Sequence, residues 1–373
     1  MKIDPNRQRF LEIIEAQSEI GGRFLHPKRL GANGGDGTFS LLCEASDKQR
    51  GNTKVALKFL NPLEPQEYRR RCFQREPEIL SLMNGQKDIL QIIAPRAEFS
   101  HEFGGLELTF SYYAVELAVS DLGNVIEAGT ASARDMLLHF RAMCRGVQRL
   151  QRLYIAHRDI KPNNFLIMPD GCIKLSDFGT ARQIGAHSDG LMRDYAGYPP
   201  GHLGYSAPEI LASLHDDDPK VALDADMFSL GCCIFEMFSG VPLGIQLFDQ
   251  AFQQDLLQAM ARVRRGERRR IYDQFVGSIA NSHPLPSIAT FAPTMPRCIV
   301  PIVDELYGSM AALDYRRRMR GFERIFWMIS RGILNLDNQD KIRSWRQRRK
   351  GYQTATDRVV RRPESLPGNR SGA

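Results

Sequence analysis

Two short polar motifs in the middle of the chain carry the side chains best suited to chemistry. The sequence HRDIKPNN at residues 157–164 places a base, a cation and a carboxamide within six positions, as Asp159, Lys161 and Asn164. The sequence DFG at residues 177–179 follows a strand-like stretch. A carboxylate can accept a proton from a hydroxyl, a lysine can neutralise an anion, and oxygen ligands suit hard cations. These motifs indicate a site that handles a proton, an anion or a metal ion.

A glycine-rich segment, GANGGDGTFS at residues 31–40, precedes both motifs. Its four glycines in seven positions let the backbone bend tightly, so that its N–H groups can approach phosphate oxygens. The same composition also suits a hairpin turn that binds nothing, and the segment alone does not decide between the two.

A single lysine, Lys58, ends an apolar strand-like segment, VALK at residues 55–58. A lysine on a buried strand needs an anionic partner or it loses its charge. Glu76 lies eighteen residues further on, in the next predicted helix, and Glu78 is the reserve candidate. The alternative is an edge-strand lysine that points to water, and the carboxylate on the helix favours the paired lysine.

The composition is that of an ordinary globular protein. The chain has 373 residues, of which 43% are hydrophobic and 25% charged, so collagen, coiled coil and extensive disorder are excluded. The best apolar run, residues 227–238, is too short for a transmembrane helix, and the N-terminus lacks the apolar core of a signal peptide. Seven cysteines without C-x-x-C spacing favour a reducing, cytoplasmic location, and the eight histidines form no zinc-type cluster.

The positive charge is concentrated near the C-terminus. Residues 341–373 hold ten Lys or Arg and two Asp or Glu, a net charge of +8, so the rest of the chain contributes about −1 to the total of +7. A second basic cluster, residues 262–270, has six arginines. These segments predict either an anionic partner, such as nucleic acid, an acidic protein face or a membrane surface, or solvated helix faces with a solubilising tail.

The residue patterns divide the chain into four parts. Strand-like segments dominate the first large part, whereas apolar residues recur at helical spacing in the second, as at Met136, Phe140 and Met143. The predicted parts are an N-terminal extension (1–24) with a helical stretch over 7–20, a β-rich part with one helix (25–117), a helical part (118–336) with a proline-rich insertion at 282–301, and a basic, flexible tail (337–373).

The motifs described above are followed by Ala-Pro-Glu at residues 207–209, and in this order they resemble those of the protein kinase family. The resemblance covers roughly residues 25–335. It implies an α+β, two-lobed protein kinase fold, in which a small antiparallel β lobe with one helix is joined to a larger, mainly helical lobe. The hinge would be Glu116–Ala118, and ATP would bind in the cleft between the lobes.

The resemblance also implies which residues bind ATP and Mg²⁺. Lys58 would hold the α- and β-phosphates and be clamped by Glu76. Asp177 and Asn164 would be the Mg²⁺ ligands. The implied nucleotide-binding positions are Gly31, Gly34, Gly35, Gly37, Ser40, Leu42, Ala56, Lys58, Val115, Glu116, Ala118 and Leu166.

On the substrate side, Asp159 would accept the proton of the acceptor hydroxyl and Lys161 would neutralise the transferred phosphoryl group. The stretch DIKPNN at 159–164 resembles that of Ser/Thr-directed kinases, which predicts Mg²⁺-dependent phosphoryl transfer from ATP to Ser or Thr of a protein substrate. Two alternatives stay open, a nucleotide-binding pseudokinase scaffold and a small-molecule kinase. The candidate sites of regulatory phosphorylation are Ser188, Tyr195 and Tyr198.

Several other matches to the family are structural. Asp226 would anchor the backbone of the HRD loop, and Glu209 would form an ion pair with Arg318. The stacked apolar residues implied are Leu80, His157 and Phe178.

Three residues depart from the family pattern. Ser40 stands in place of the third glycine of the glycine-rich loop. Pro77 directly follows Glu76, and inside a helix it would remove a hydrogen bond and kink the chain, which predicts a Lys58–Glu76 clamp that forms only in some states. His202 stands where Ser/Thr kinases have a threonine that contacts the catalytic aspartate and lysine.

Overall fold

The computed structural model describes residues 5–31, 40–184, 201–214, 218, 220–244, 260, 262–282 and 285–360. The β-strands are β1 Glu19–Ile20, β2 Phe24–Arg29, β3 Ser40–Asp47, β4 Thr53–Leu60, β5 Ile92–Phe103, β6 Leu106–Glu116, β7 Ser120–Asp121, β8 Ile155–Ala156, β9 Phe165–Ile167, β10 Ile173–Leu175 and β11 Arg182–Gln183. The helices are α1 Pro5–Glu15, α2 Glu67–Leu82, α3 Leu122–Ala128, α4 Ala133–Arg152, α5 Pro208–Leu211, α6 Val221–Ser239, α7 Arg268–Ser282, α8 Ile288–Phe291, α9 Val300–Met310 and α10 Phe322–Val360.

The first part of the chain builds a six-stranded antiparallel sheet, in the order β1-β2-β3-β4-β6-β5. Successive side chains of a strand point to opposite faces. On β4, Val55, Leu57 and Phe59 are buried on one face, and Ala56 is buried on the other. The sheet therefore has two apolar faces, and a different part of the chain covers each of them.

Helix α1 covers the outer face of this sheet. Its apolar side, which includes Phe10 and Leu11, is buried in one cluster with residues of β3, β4 and β6. The sequence predicts a longer helix, over residues 7–20. In the structure the chain leaves the helix earlier, because a turn at residues 21–22, where both glycines have positive φ, pairs β1 with β2.

The second part of the chain is mainly helical, and α6 runs through its middle. Most of α6 is buried, and α4 and α9 pack against it. The chain before α6 also forms two small sheets, β10-β9-β7 and β11-β8. The HRD loop lies between β8 and β9, and the DFG loop follows β10, so short strands hold both polar motifs.

The α+β, two-lobed architecture predicted from the sequence is confirmed by these elements. Helix α2 packs on the DFG loop of the second part, which brings the two lobes into contact. Among the described residues, no helix is long and apolar enough to cross a membrane.

The last helix, α10, continues through much of the segment that the sequence predicts as a flexible tail. Residues 337–360 are helical in the structure. The reason lies in their composition, because this stretch contains no proline, a single glycine and many good helix formers such as Arg, Lys and Gln. The remaining residues, 361–373, lie outside the described part of the chain.

Candidate active site

The inner face of the six-stranded sheet brings several predicted nucleotide-binding residues together. In the antiparallel register Leu42 lies opposite Lys58, and Ala56 lies opposite Val115. Register partners share a face, and so do residues two apart on one strand, so these four side chains lie on one face. Leu166 of β9 packs, partly buried, against the core cluster that contains Ala56 and Val115. The apolar positions implied for nucleotide binding therefore adjoin the lysine implied for the phosphates.

Lys58 is the centre of a buried charged cluster. Its Nζ lies 2.6 Å from Glu76 Oε2 and 3.3 Å from Asp177 Oδ1. The side chains of Lys58 and Glu76 are 13% and 4% exposed, whereas that of Asp177 is 36% exposed. One ammonium group is thus shared by two carboxylates, and Asp177 forms the accessible side of the cluster.

The charges of this cluster hold the lysine and the exposed carboxylate ionised. Burial alone would lower the pKa of Lys58, but the charges of Asp177 and Glu76 outweigh burial and raise this pKa. Burial would raise the pKa of Asp177, and the cations Lys58 and Lys161 keep it below its usual value. The pKa of Glu76 is raised, because the burial of its carboxyl outweighs the attraction of Lys58.

Helix α2 holds Glu76 in place although Pro77 lies inside the helix. The helix continues beyond the proline, and the contact with Lys58 is present in this structure. A second contact ties α2 to the DFG loop, since Arg75 Nη1 donates a hydrogen bond to Gly179 O at 3.1 Å. The sequence does not predict this second contact, because an arginine next to Glu76 has no distinguishing spacing. It links the position of Glu76 to that of the DFG loop.

Asp226 of α6 fixes the HRD loop. Its two carboxylate oxygens accept hydrogen bonds from the backbone N–H groups of His157 and Arg158, at 2.7 and 2.9 Å. The predicted anchoring role of Asp226 is therefore confirmed. The ring of His157 lies 5.1 Å from that of Phe178. All members of the predicted apolar stack are fully buried: Leu80, His157 and Phe178.

Three donors surround the carboxylate of Asp159, which is 10% exposed. Lys161 Nζ and Asn164 Nδ2 lie 2.9 and 3.1 Å from Oδ2. The backbone N–H of His202 donates to Oδ1 at 2.9 Å. The contact from His202 could not be predicted from residue types, because it comes from the backbone. The carboxylate is held in one orientation by groups on both of its oxygens.

The donor atoms of Asp177 and Asn164 fit a Mg²⁺ site. Asn164 Nδ2 also donates to Asp159 O at 2.7 Å, which turns the carboxamide oxygen to the opposite side. Asp177 is ionised and partly exposed. In the described part of the chain, no three His, Cys, Asp or Glu side chains are grouped to hold a metal. Mg²⁺ bound together with substrate phosphates needs only one or two carboxylates, so this donor set is sufficient.

The side chain of Glu116 is occupied by hydrogen bonds within the protein. Its carboxylate accepts two hydrogen bonds from Lys174 Nζ at 2.7 Å and one from Gln91 N at 2.9 Å. A contact between Glu116 and a nucleotide would therefore be made by its backbone. Ala118, two residues beyond the end of β6, is partly buried.

The ends of the glycine-rich segment are placed at a hairpin. Gly31, with φ of 67°, follows β2, and Ser40, which is 2% exposed, begins β3. The segment thus joins two adjacent strands of the sheet. Several predicted residues lie outside the described ranges: Gly34, Gly35, Gly37, Ser188, Tyr195 and Tyr198.

A comparison with protein-family models matches residues 30–294 to the protein kinase domain. The match covers more than half of the chain and includes both charged clusters described above. The chain belongs to the protein kinase family. The resemblance inferred from the five motifs is thereby confirmed.

Among known proteins, this kinase is similar to mitogen-activated and related kinases of fungi. Extracellular signal-regulated kinase 1 of Candida albicans is 29% identical over 211 residues, which are 56% of this chain and 47% of the relative. Mitogen-activated protein kinase PMK11 of Pyricularia oryzae is 30% identical over 215 residues, 56% of this chain and 55% of the relative. Mitogen-activated protein kinase KSS1 of Saccharomyces cerevisiae is 29% identical over 220 residues, which are 56% of this chain and 56% of the relative. The kinase spans about half the length of the curated relatives it matches.

The Ala-Pro-Glu motif of this kinase is tied to a later part of the helical lobe. Arg318 Nη2 lies 2.8 Å from Glu209 Oε2, and Arg318 Nη1 contacts Glu209 Oε1. Both side chains are fully buried. The ion pair predicted from the sequence is confirmed, and it is structural because it lies apart from Asp159 and Lys58 in the helical core.

Proposed function

We propose that this protein kinase transfers the γ-phosphoryl group of ATP, with Mg²⁺, to Ser or Thr hydroxyls of protein substrates. The observation that carries the proposal is that two complete charged clusters are assembled. In one, Lys58 contacts Glu76 and Asp177. In the other, Asp159 is held by Lys161 and Asn164. The similarity to fungal mitogen-activated protein kinases supports a protein as the acceptor.

In this reaction the residues of the chain position groups and balance charge. Lys58, a cation fixed by Glu76, binds phosphate oxygens of ATP. Asp159 accepts the proton of the acceptor hydroxyl as the hydroxyl oxygen bonds to the γ-phosphorus, while the bond between this phosphorus and the β–γ bridging oxygen breaks and ADP leaves. Lys161, 2.9 Å from Asp159, offsets negative charge on the phosphoryl group in transit.

Asp177 and Asn164 would hold Mg²⁺, which when bound neutralises charge on the phosphates. Mg²⁺ is expected to increase the affinity of the wild type for ATP, and Asp177→Ala removes the one ionised ligand of this ion. We expect the increase to be at least tenfold smaller in Asp177→Ala, because even outer-sphere partners of a metal contribute about 10–100-fold to its binding. Isothermal titration with ATP, with and without Mg²⁺, measures this gain. Asp170→Ala, an exposed carboxylate of the β9–β10 hairpin, is the matched control. An unchanged Mg²⁺ gain in Asp177→Ala would contradict the assignment.

Phosphoamino-acid analysis distinguishes the proposed activity from its two rivals. The purified chain is incubated with labelled ATP, Mg²⁺ and a generic basic protein, and the hydrolysed product is separated. We expect phosphoserine or phosphothreonine. Phosphotyrosine alone would overturn the Ser/Thr assignment. ATP binding without any transfer would favour the pseudokinase scaffold. Transfer only to small hydroxyl compounds, supplied in a parallel incubation, would favour the small-molecule kinase.

We propose that the basic C-terminal half of α10 binds an anionic partner. Four neighbouring basic residues of its C-terminal half, which Gln can replace without loss of helix propensity, are Arg346, Arg348, Arg349 and Lys350. We expect the quadruple Gln variant to bind heparin more weakly, with a smaller salt dependence of the binding constant. A variant with Gln at the exposed Arg262, Arg264 and Arg270 is the comparison, and we expect its salt dependence to change less for each charge removed. Equal salt dependence in the quadruple variant and the wild type would show that this segment binds no polyanion.

A further inference from the structure

The peptide between Gly201 and His202 lies directly against the catalytic loop. The N–H of His202 donates to Asp159 Oδ1 at 2.9 Å. Gly201 has a φ of 85°, and a Cβ at this position would lie 2.2 Å from Arg158 O and 3.3 Å from Asp159 Oδ1. Because any side chain would collide with the backbone of the HRD loop, only glycine allows this approach.

Helix α6 anchors both sides of this contact. Asp226 of α6 holds the HRD loop, as described above. On the other side, Ser229 Oγ of α6 donates to Tyr205 O at 2.8 Å, and Tyr205 Oη donates to Glu236 Oε2 of α6 at 2.5 Å. One rigid helix therefore sets the distance between the His202 peptide and the carboxylate of Asp159.

Among the described residues, the donors to Asp159 leave one acceptor direction for a substrate. Oδ2 accepts hydrogen bonds from Lys161 and Asn164, whereas Oδ1 accepts one from His202. A carboxylate oxygen has two lone-pair directions, so Oδ1 has a second acceptor direction for the hydroxyl of the substrate. The oxygen that takes the proton is thus the one that the His202 amide fixes.

We propose that the Gly201–His202 peptide is a positioning element for phosphoryl transfer, which orients Asp159 so that Oδ1 faces the acceptor hydroxyl. The proposal rests on the proposed function. It explains how a histidine can stand where the family pattern implies a threonine, since the backbone rather than the side chain supplies the hydrogen bond. The amide at position 202 is then required, whereas its side chain is not.

Two substitutions at position 202 separate the amide from the side chain. His202→Ala keeps the N–H and is the reference, whereas His202→Pro replaces the N–H with a ring carbon that also crowds Asp159 Oδ1. The φ of His202, −91°, is near the range of proline, and the preceding glycine tolerates a following proline. Because a hydrogen bond to a charged group is lost, we expect kcat of His202→Pro to fall roughly 10–100-fold below that of His202→Ala, with an unchanged KM for ATP.

A second pair of variants tests the same contact if His202→Pro folds poorly. Gly201→Ala forces the peptide away from Asp159, whereas Gly171→Ala places alanine at a similar φ, 79°, with no atom within 4 Å. We expect a loss of kcat in Gly201→Ala and wild-type kcat in Gly171→Ala. Backbone strain lowers both melting temperatures, and the collision with Arg158 O lowers that of Gly201→Ala further. Equal kcat in both members of either pair, with an active wild type, overturns the positioning role alone. An inactive wild type overturns the proposed function as well.

Discussion

Asp159→Asn is expected to lower kcat by about 10²–10⁴-fold, the range that a general base contributes, and to leave ATP affinity nearly unchanged. The amide cannot accept the proton of the acceptor hydroxyl. It also has one acceptor oxygen where the carboxylate has two, so either His202 N–H or the pair Lys161 and Asn164 would face an NH₂ group. ATP affinity persists because Lys58 and Asp177 lie in the other cluster.

Steady-state phosphoryl transfer and equilibrium ATP binding measure the two halves of this expectation. Asp340→Asn, an exposed aspartate on α10, makes the same chemical change outside the site and should behave as the wild type. Full activity in Asp159→Asn would contradict the role of Asp159. A parallel loss of ATP binding would instead indicate that the substitution disturbs the fold.

Arg318→Met is expected to destabilise the kinase by about 3–5 kcal/mol, because it leaves the carboxylate of Glu209 buried without its cation. Neither side chain is exposed. Arg318 also donates to Ala312 O at 2.8 Å and to Asp224 O at 3.0 Å, so two backbone carbonyls lose their donor as well. The loss is a large part of the 5–15 kcal/mol that is typical of a folded domain, so we expect a melting temperature clearly below that of the wild type.

Thermal and urea denaturation measure this effect. The neighbouring Arg317→Met is the matched control, since the side chain of Arg317 is 84% exposed and we expect its melting temperature to be unchanged. The double variant Arg318→Met/Glu209→Leu removes both charges and should recover part of the stability that Arg318→Met loses. A wild-type melting temperature in Arg318→Met would show that the buried pair does not hold the Ala-Pro-Glu motif in place.

The sequence predicted those parts of the fold and site that depend on residue type at a fixed spacing. The pair Glu209 and Arg318 was predicted although 109 residues separate them, because the segments that hold the two residues resemble motifs that pair in the protein kinase family. The anchoring role of Asp226 was predicted in the same way, because residues 226–231 resemble the start of the long central helix of the family.

What the sequence did not predict comes mainly from the backbone and from tertiary context. The contact of His202 with Asp159 uses an N–H that every residue except proline has, so no residue type marks it. Arg75 reaches Gly179 only because α2 packs on the DFG loop. The length of α1 was overestimated because the pairing of β1 with β2 overrides the helical pattern of residues 16–20.

Transfer of labelled γ-phosphate from ATP to a protein acceptor by the purified wild-type chain, with Mg²⁺, tests the central claim most directly. The account predicts label on Ser or Thr of the acceptor, dependent on Mg²⁺ and absent with Asp159→Asn. ATP binding with no transfer to any acceptor, from a chain shown to be folded, would contradict it.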